Sequence, residues 1–467
     1  MVKRNIIPKY KTLWDDALRI KTIYDYIEKH SQNSIQELVK LVRQPSVSAT
    51  GEGVQACAEM VEGMLQKLSF STKLIPEKKG NPIVYGELKS RNSKKTLLFY
   101  DHYDVQPPEP LNEWKFGAFS GKIHRGRIYG RGVSDNKGNL ISRIKAVEAF
   151  LETVGDIPVN VKFVVEGEEE IGSPHFPNAI RQNKKKFLND ATIWEFGGIS
   201  YEGRPKIYLG LKGVLSVELR TKGASRDTHS ANAPIVPNPA WNLIWALNSL
   251  KNERGEILID GFYEKIDPPL QKELQLLANI PLEEKRVKRS LGLKVFLQQR
   301  TGRDATKELL FSPTCSINGL ITGYTGEGSK TVLPKEAKAK LDFRLVPKQM
   351  PDEIFQKLTT HLHNAGHKNV EVIRHGSTEP AKTPVDDDFV EVVIRAAEKV
   401  YEKKPIIYPT SPASGPMHLF RNLLKSPVVS AGCSHAEAKG HAPNENLTID
   451  GFIKGIKFMA TILDDFS

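Results

Sequence analysis

Cysteine is scarce in this chain: 467 residues contain three, at positions 57, 315 and 433, and no two form a CxxC pair. That excludes a disulfide framework and a cysteine zinc site of the finger type. Cys57 falls among apolar helix positions and is expected to be a small core residue. Long apolar runs are missing too. One of the longest, Leu97–Leu98–Phe99–Tyr100, is far short of the ~20 residues a membrane helix needs, so no membrane association is expected. The basic stretch Met1–Lys11 has no apolar segment behind it, so no secretory signal is expected and the cytoplasm is the expected location. Internal repeats and low-complexity tracts are absent. Lys and Arg (67) exceed Asp and Glu (55) by 67 − 55 = 12, yet the basic groups are scattered in short clusters such as Lys184–Lys186 and Lys403–Lys404. No RNA-binding, helix-turn-helix or zinc-finger pattern accompanies them, so the excess is read as solvated surface and no nucleic-acid partner is expected.

What is present is enough apolar material for sizeable cores: 39% hydrophobic residues, with 19 Phe, 13 Tyr and 5 Trp, which excludes overall disorder. At roughly 150 residues per domain the length predicts two or three domains. Val54, Cys57, Val61, Met64, Leu65 and Leu68 recur at helical spacing, as do Leu140, Ile144, Val147 and Leu151. Pro82–Leu88, Thr96–Tyr100 and Val159–Val165 read as strands, the second so apolar that it belongs in the middle of a sheet. Helices alternating with apolar strands predict an α/β domain with a mixed, mostly parallel sheet flanked by helices. The middle of the chain differs. Gly213–Thr221 and Ala337–Leu345 alternate apolar and polar residues, the mark of strands with one wet face, with a helix over Pro239–Leu250 and a charged, loop-rich stretch at 251–312. Apolar strand character returns at Ser426–Ala431, and Phe452, Ile456, Met459, Ala460 and Leu463 give a closing helix. The expected organisation is a catalytic domain of residues 1–213 and 381–467, interrupted by an α+β domain of residues 214–380.

Five short segments concentrate histidine and acid where a strand ends or a loop begins. Asp101–His102–Tyr103–Asp104 follows the apolar strand, at the carboxyl end where open α/β sheets bind ligands. His102 with Asp104 is the pairing of a metal-ligating imidazole and the carboxylate that fixes its tautomer, although an isolated histidine there would fit a surface role as well. Gly130–Gly138 carries Asp135 in a glycine-rich turn before a helix, where an N-terminal Asp is also common. Glu166–Ser173 stacks Glu168, Glu169 and Glu170 at the end of a buried strand, costly unless cations neutralise them or the loop is solvated. Trp194–Glu195–Phe196 sets one acid among apolar neighbours, and Gly440–Glu445 contains His441. Two histidines and several carboxylates over strand ends form a zinc-type ligand set, and one bridging carboxylate would let it hold two metals.

The order HxD, GRGxxDNKG, EExGS, a lone acid and a late His before PNE resembles the M20 family of metallopeptidases, spread over about residues 95–445. The wording His102-Tyr103-Asp104-Val105-Gln106-Pro107-Pro108, with Trp114 and Phe116 downstream, is most similar to the carnosinase-like, cytosolic dipeptidase branch. The resemblance implies two divalent ions, zinc first with manganese or cobalt tolerated. His102 and Glu195 would ligate one, Glu170 and His441 the other, with Asp135 bridging. It implies Glu169 as the general base that activates a metal-bridging water, and Asp104 as the group orienting His102. Glu168 is then a neighbour, and Pro443–Asn444–Glu445 favours His441 over its rival His435. Asp227–Thr228–His229–Ser230 resembles the family's lid motif, whose histidine stabilises the tetrahedral intermediate and in dimeric members reaches into the other subunit's site. Phe343–Arg344–Leu345–Val346–Pro347 resembles the segment whose arginine binds a substrate carboxylate. Read from its strand alone, Arg344 lies on the wet face, where a solvated charge is the ordinary outcome; guanidinium geometry equally suits carboxylate capture.

Two positions depart from the dipeptidase branch. Glu195–Phe196 stands where an Asp followed by Asn is usual, and Ser411–Met417 replaces a glycine-rich substrate loop. The expected activity is a metal-dependent exopeptidase acting on dipeptides or short peptides, with a homodimer through the inserted lid domain. An N-acyl-amino-acid deacylase with the same two-metal site is the alternative. From another class, a nucleic-acid-binding protein on a degenerate hydrolase fold would require metal-incompetent residues among the ligands, and none of these positions carries one.

Overall fold

The computed structural model describes residues 10–76 and 80–467, with side chains from Leu18 onward. The expectation drawn from Met1–Lys11 therefore falls almost wholly outside the described residues. The chain divides into two compact units. The first runs to Leu209 and takes in Thr383–Tyr408 and Leu419–Ser467; the second is Gly210–Lys382 with Pro409–His418. The return of Pro409–His418 to the second unit is not what the sequence boundaries anticipate. Its backbone explains the difference: Ser411 N donates to Gly210 O at 2.8 Å, and Lys212 N to Ala413 O at 3.0 Å.

The first unit is built on a ten-stranded sheet. In spatial order the strands are Ser71–Ile75, Ile83–Leu88, Asn160–Glu166, Thr96–His102, Ala191–Trp194, Val428–Ser430, Pro205–Tyr208, Gly198–Ile199 and Ser434–His435, with Ile406–Tyr408 also pairing Pro205–Tyr208. The centre is parallel, Thr96–His102 lying between Asn160–Glu166 and Ala191–Trp194; one flank is antiparallel, and the other mixes antiparallel pairs with the parallel pairs Ser434–His435/Gly198–Ile199 and Ile406–Tyr408/Pro205–Tyr208. Leu97–Tyr100 are fully buried, as their unbroken apolar run requires of a central strand. Helices Val54–Lys67, Gly138–Val154, Asp388–Tyr401 and Ile449–Asp465 pack their apolar faces into the same core through Val61, Ile144, Val393 and Ile456. Two helices, Tyr10–Lys29 and Ser31–Arg43, precede them. Among the described residues no helix is long and apolar enough to cross a membrane.

The second unit centres on a four-stranded antiparallel sheet in the order Thr314–Thr322, Glu336–Leu345, Gly213–Lys222, Glu371–Thr378. Its buried face carries Leu215, Val217, Leu219, Ala339, Leu341 and Phe343, and helices Pro239–Leu250 and Pro351–Asn364 cover that face with Leu243, Ala246, Leu250, Ile354 and Leu358. Period-two alternation thus becomes a one-sided sheet. The stretch 251–312, expected to be loop-rich, contains helices Gln271–Leu276, Glu284–Leu291 and Gly302–Phe311. They are short and bury little: Gly302–Phe311 buries only Thr306 and Leu310, and Glu284–Leu291 buries nothing, its Val287 and Leu291 remaining partly or largely exposed.

Candidate metal centre

Three adjacent parallel strands deliver their carboxyl ends to one edge of the first unit's sheet. His102 is the last residue of Thr96–His102, Glu195 follows Ala191–Trp194, and Glu169 and Glu170 follow Asn160–Glu166. Asp135 comes from the turn before helix Gly138–Val154, and His441 from the loop before strand Asn446–Thr448. His102, Glu169, Glu170 and Glu195 come to one edge because parallel strands share a direction, and Asp135 and His441 reach it from a turn and a loop.

His102 Nε2 lies 3.1 Å from Asp135 Oδ1, and His441 Nε2 lies 3.0 Å from Asp135 Oδ2. The two oxygens of one carboxylate thus face two imidazoles. On the His441 side, Glu170 Oε2 is 3.1 Å from the same Nε2. On the His102 side, Glu195 Oε2 is 4.0 Å away. Ligand atoms of His102, Asp135 and Glu170 all fall within 4.8 Å of one another. His102 is buried, whereas His441 is open to solvent and held with a left-handed backbone, φ +62°. His435 is elsewhere, its Nε2 3.1 Å from Asn446 Oδ1.

The electrostatics fit cations at this place. Burial, reinforced by neighbouring carboxylates, pushes Glu169 up to about 8. Burial and the charge of Glu169 hold Glu195 well above the ordinary carboxylate range. Burial alone would lower His102, but its hydrogen bonds with Asp104 and Asp135 outweigh that and hold it well above an ordinary imidazole. Hydrogen bonds to Asp135 and Glu170 push His441 up to about 10. A concentration of acids this dense asks for positive charge. Glu170 Oε1 is buried with no hydrogen-bond partner, an atom that a metal ion would satisfy. Imidazole nitrogen with carboxylate oxygen is a donor set for zinc, manganese or cobalt.

Asp104 is fully buried, with Oδ1 3.5 Å from His102 Nδ1. The same carboxylate accepts the backbone N–H groups of Glu169 at 3.2 Å and Glu170 at 3.0 Å, so it also positions the acidic turn. Glu168 turns away, accepting from Asn81 N at 3.1 Å and pairing with His175 Nδ1 at 2.8 Å. The Glu169 side chain appears in none of the close pairs that join Asp135, Glu170 and the two histidines.

Three supporting residues escaped the sequence reading. Glu445 is fully buried, and its carboxylate accepts from Arg131 Nη1 and from the backbone N–H groups of Gly132, Ser134 and Asp135, all at 2.9–3.0 Å. It shapes the turn that presents Asp135. Gly132 in that turn has φ +84°, and a Cβ there would lie 2.4 Å from Val105 Cγ1. Arg143 is fully buried on helix Gly138–Val154, paired with Asp101 at 2.6 Å. It donates to the carbonyls of Tyr100 and Trp194 at 2.8 Å and of Ala431 at 3.1 Å, tying three strand ends together. Asn136 donates to Asp101 Oδ1 at 2.9 Å and accepts from Asn139 at 2.8 Å. Glu445 was visible only as the end of PNE; Arg143 sits in a helical pattern that reveals nothing of its burial.

His229 and Arg344 belong to the second unit. His229 is exposed in a short pairing with Val332, and its Nδ1 accepts from Ala231 N at 3.1 Å, which leaves the ring proton on Nε2 as a donor. Arg344 donates to Ser414 Oγ at 2.8 Å and pairs with Asp342 at 3.3 Å. Strand Glu336–Leu345 and the segment Pro409–His418 thus meet at this guanidinium.

Known proteins follow the same line. Peptidase family M20/M25/M40 matches residues 98–465. A Cys-Gly metallodipeptidase of Schizosaccharomyces pombe is 27% identical over 472 residues, covering 96% of this chain and 99% of the relative. A human Beta-Ala-His dipeptidase is 28% identical over 396 residues, 81% of this chain and 76% of the relative. Among solved structures, an M20 family metallo-carboxypeptidase from Sulfolobus solfataricus is 41% identical, with a TM-score of 0.88, covering 92% of this chain and 98% of its own. The chain belongs to Peptidase family M20/M25/M40 and is a metal-dependent peptidase.

Proposed function

We propose that the chain is a dinuclear exopeptidase that removes one residue from dipeptides or short peptides. The observation that carries this reading is the split of Asp135, one oxygen toward His102 and the other toward His441. One divalent ion would be held by His102, Asp135 and Glu195, the other by His441, Asp135 and Glu170, with zinc, manganese and cobalt all compatible. Bound there, such ions lower the pKa of a water and polarise the scissile carbonyl. Glu169 takes the proton from the attacking water and returns it to the leaving amine; burial raises its carboxyl above the ordinary carboxylate range, the direction a group that both accepts and returns a proton requires. The backbone carbonyl of Asp104, 3.1 Å from His102 Nδ1, together with its carboxylate at 3.5 Å, keeps the His102 proton on Nδ1 and so turns Nε2 toward the ligand position. His229, with its proton on Nε2, is assigned as donor to the developing oxyanion, and Arg344 with Ser414 as the anchor for the substrate's terminal carboxylate.

Relatives covering most of the chain are named as dipeptidases, and nothing favours the deacylase alternative. The test is turnover of a free dipeptide against an N-acetylated amino acid, with divalent metal added. The reading requires the dipeptide to be cleaved. Hydrolysis of the acetylated compound alone would refute it.

We further assign the second unit as lid and dimer interface. Its sheet ends in the edge strand Thr314–Thr322, on which Ile317, Leu320 and Ile321 are exposed. On helix Pro239–Leu250, Trp241 and Trp245 stack at 5.9 Å and are more than half exposed. An unpaired apolar edge and bare tryptophans are features that a second copy would cover.

A further inference from the structure

A cavity of ≈ 650 Å³ lies wholly within the second unit. Arg344 and Pro412 are part of its lining, and Val287, Leu291, Phe296 and Leu309 from the stretch 251–312 supply apolar lining. That apolar lining stays wet: Leu291 is 64% and Leu309 49% exposed. The charged lining carries five cations (Lys212, Lys251, Arg254, Arg300 and Arg344) against two acids, Glu256 and Glu308. Arg300 is already paired with Glu308 at 2.7 Å, and Lys212 gives its ammonium protons to the carbonyls of Leu309 and Ser312. Burial also lowers Lys212 to about 8, and Lys251 gives its ammonium to Cys315 O at 3.0 Å, so the guanidinium of Arg344, with that of Arg254, is a permanent charge on this lining.

We propose that this cavity receives the side chain of the substrate's C-terminal residue and selects a large apolar one. The proposal rests on Arg344 being the carboxylate anchor. A carboxylate and its side chain leave the same α-carbon, and Arg344 and the apolar residues line the same cavity, so an acid seated on Arg344 has its side chain in that cavity. The volume lies in the range of about 300–1,000 Å³ usual for ligand pockets, and exceeds what glycine or alanine would fill. Burying leucine, phenylalanine or tryptophan against the apolar lining removes apolar surface from water on both partners; glycine leaves it exposed.

The test is kcat/KM for Ala-Gly, Ala-Leu and Ala-Phe with the metal-loaded full chain and with the variants Leu309→Asp and Val287→Asp. Wild-type enzyme is expected to favour Ala-Phe over Ala-Gly by about tenfold or more, with the ratio falling toward one in both variants. Equal turnover of the three dipeptides, or a ratio unmoved by either variant, overturns the proposal. Calorimetric titration with free phenylalanine and glycine separates this from failure of the peptidase reading. If no dipeptide is cleaved, tighter binding of phenylalanine that weakens in Leu309→Asp still supports the cavity's selectivity, and equal binding of the two amino acids overturns it.

Discussion

Glu169 and Glu170 are neighbours in sequence with different surroundings. Glu170 meets His441 and Gln106, while Glu169 stands outside those contacts. Replacing Glu169 by Gln keeps the shape and removes the proton acceptor, so kcat should fall by about 10²–10⁴-fold, with metal content by elemental analysis unchanged. Loss of metal in that variant would reassign Glu169 as a ligand. The ionisation of His441 gives a second expectation. In the ion-free protein its imidazole keeps its proton up to about 10. A cation at Nε2 must displace that proton, so metal affinity should rise as pH rises from 6 to 9, with proton release measurable by calorimetry in buffers of different ionisation enthalpy. At this scale the residues that converge on Asp135 were legible because metal chemistry would restrict a ligand set to His, Asp and Glu in short motifs. Glu445 was not, because a carboxylate that serves backbone N–H groups has no residue-type signature of its own.

Single elements carry the geometry of the centre. The turn Gly130–Asp135 is held by four hydrogen bonds to Glu445, and only a group with two acceptor oxygens accepts them all. Glu445→Gln turns one acceptor into a donor facing donors; metal affinity by competitive titration should fall by about 10–100-fold. Arg143 binds the strand ends that carry His102 and Glu195, and its removal leaves Asp101 buried without its cation. Arg143→Met should cost about 3–5 kcal/mol in urea denaturation of the metal-free protein. A loss below about 1 kcal/mol would mean that the strand ends hold themselves. Strands and long helices were legible from periodicity, since burial on one face imposes it. The helices within 251–312 were not, because each buries at most two residues, and Glu284–Leu291 none.

On the scale of the whole molecule, the α/β core with an interrupting α+β body was readable from the change in hydrophobic period near Gly213. The self-association assigned to the edge strand makes a separate prediction. Ile321→Lys should shift a dimer to monomer in light scattering, since a lysine on a bare edge blocks strand pairing; a wild-type chain monomeric at micromolar concentration would dispose of that interface. Pro409–His418 has a last consequence. The chain leaves the first unit after Leu209, returns at Thr383, leaves again after Tyr408 and returns at Leu419. The second body is thus sewn in by two separate threads, and Arg344 knots them through Ser414. Cutting out 210–382 as a cassette would leave Ser414 without the guanidinium it holds, so any pared-down or chimeric version of this enzyme must exchange both threads together.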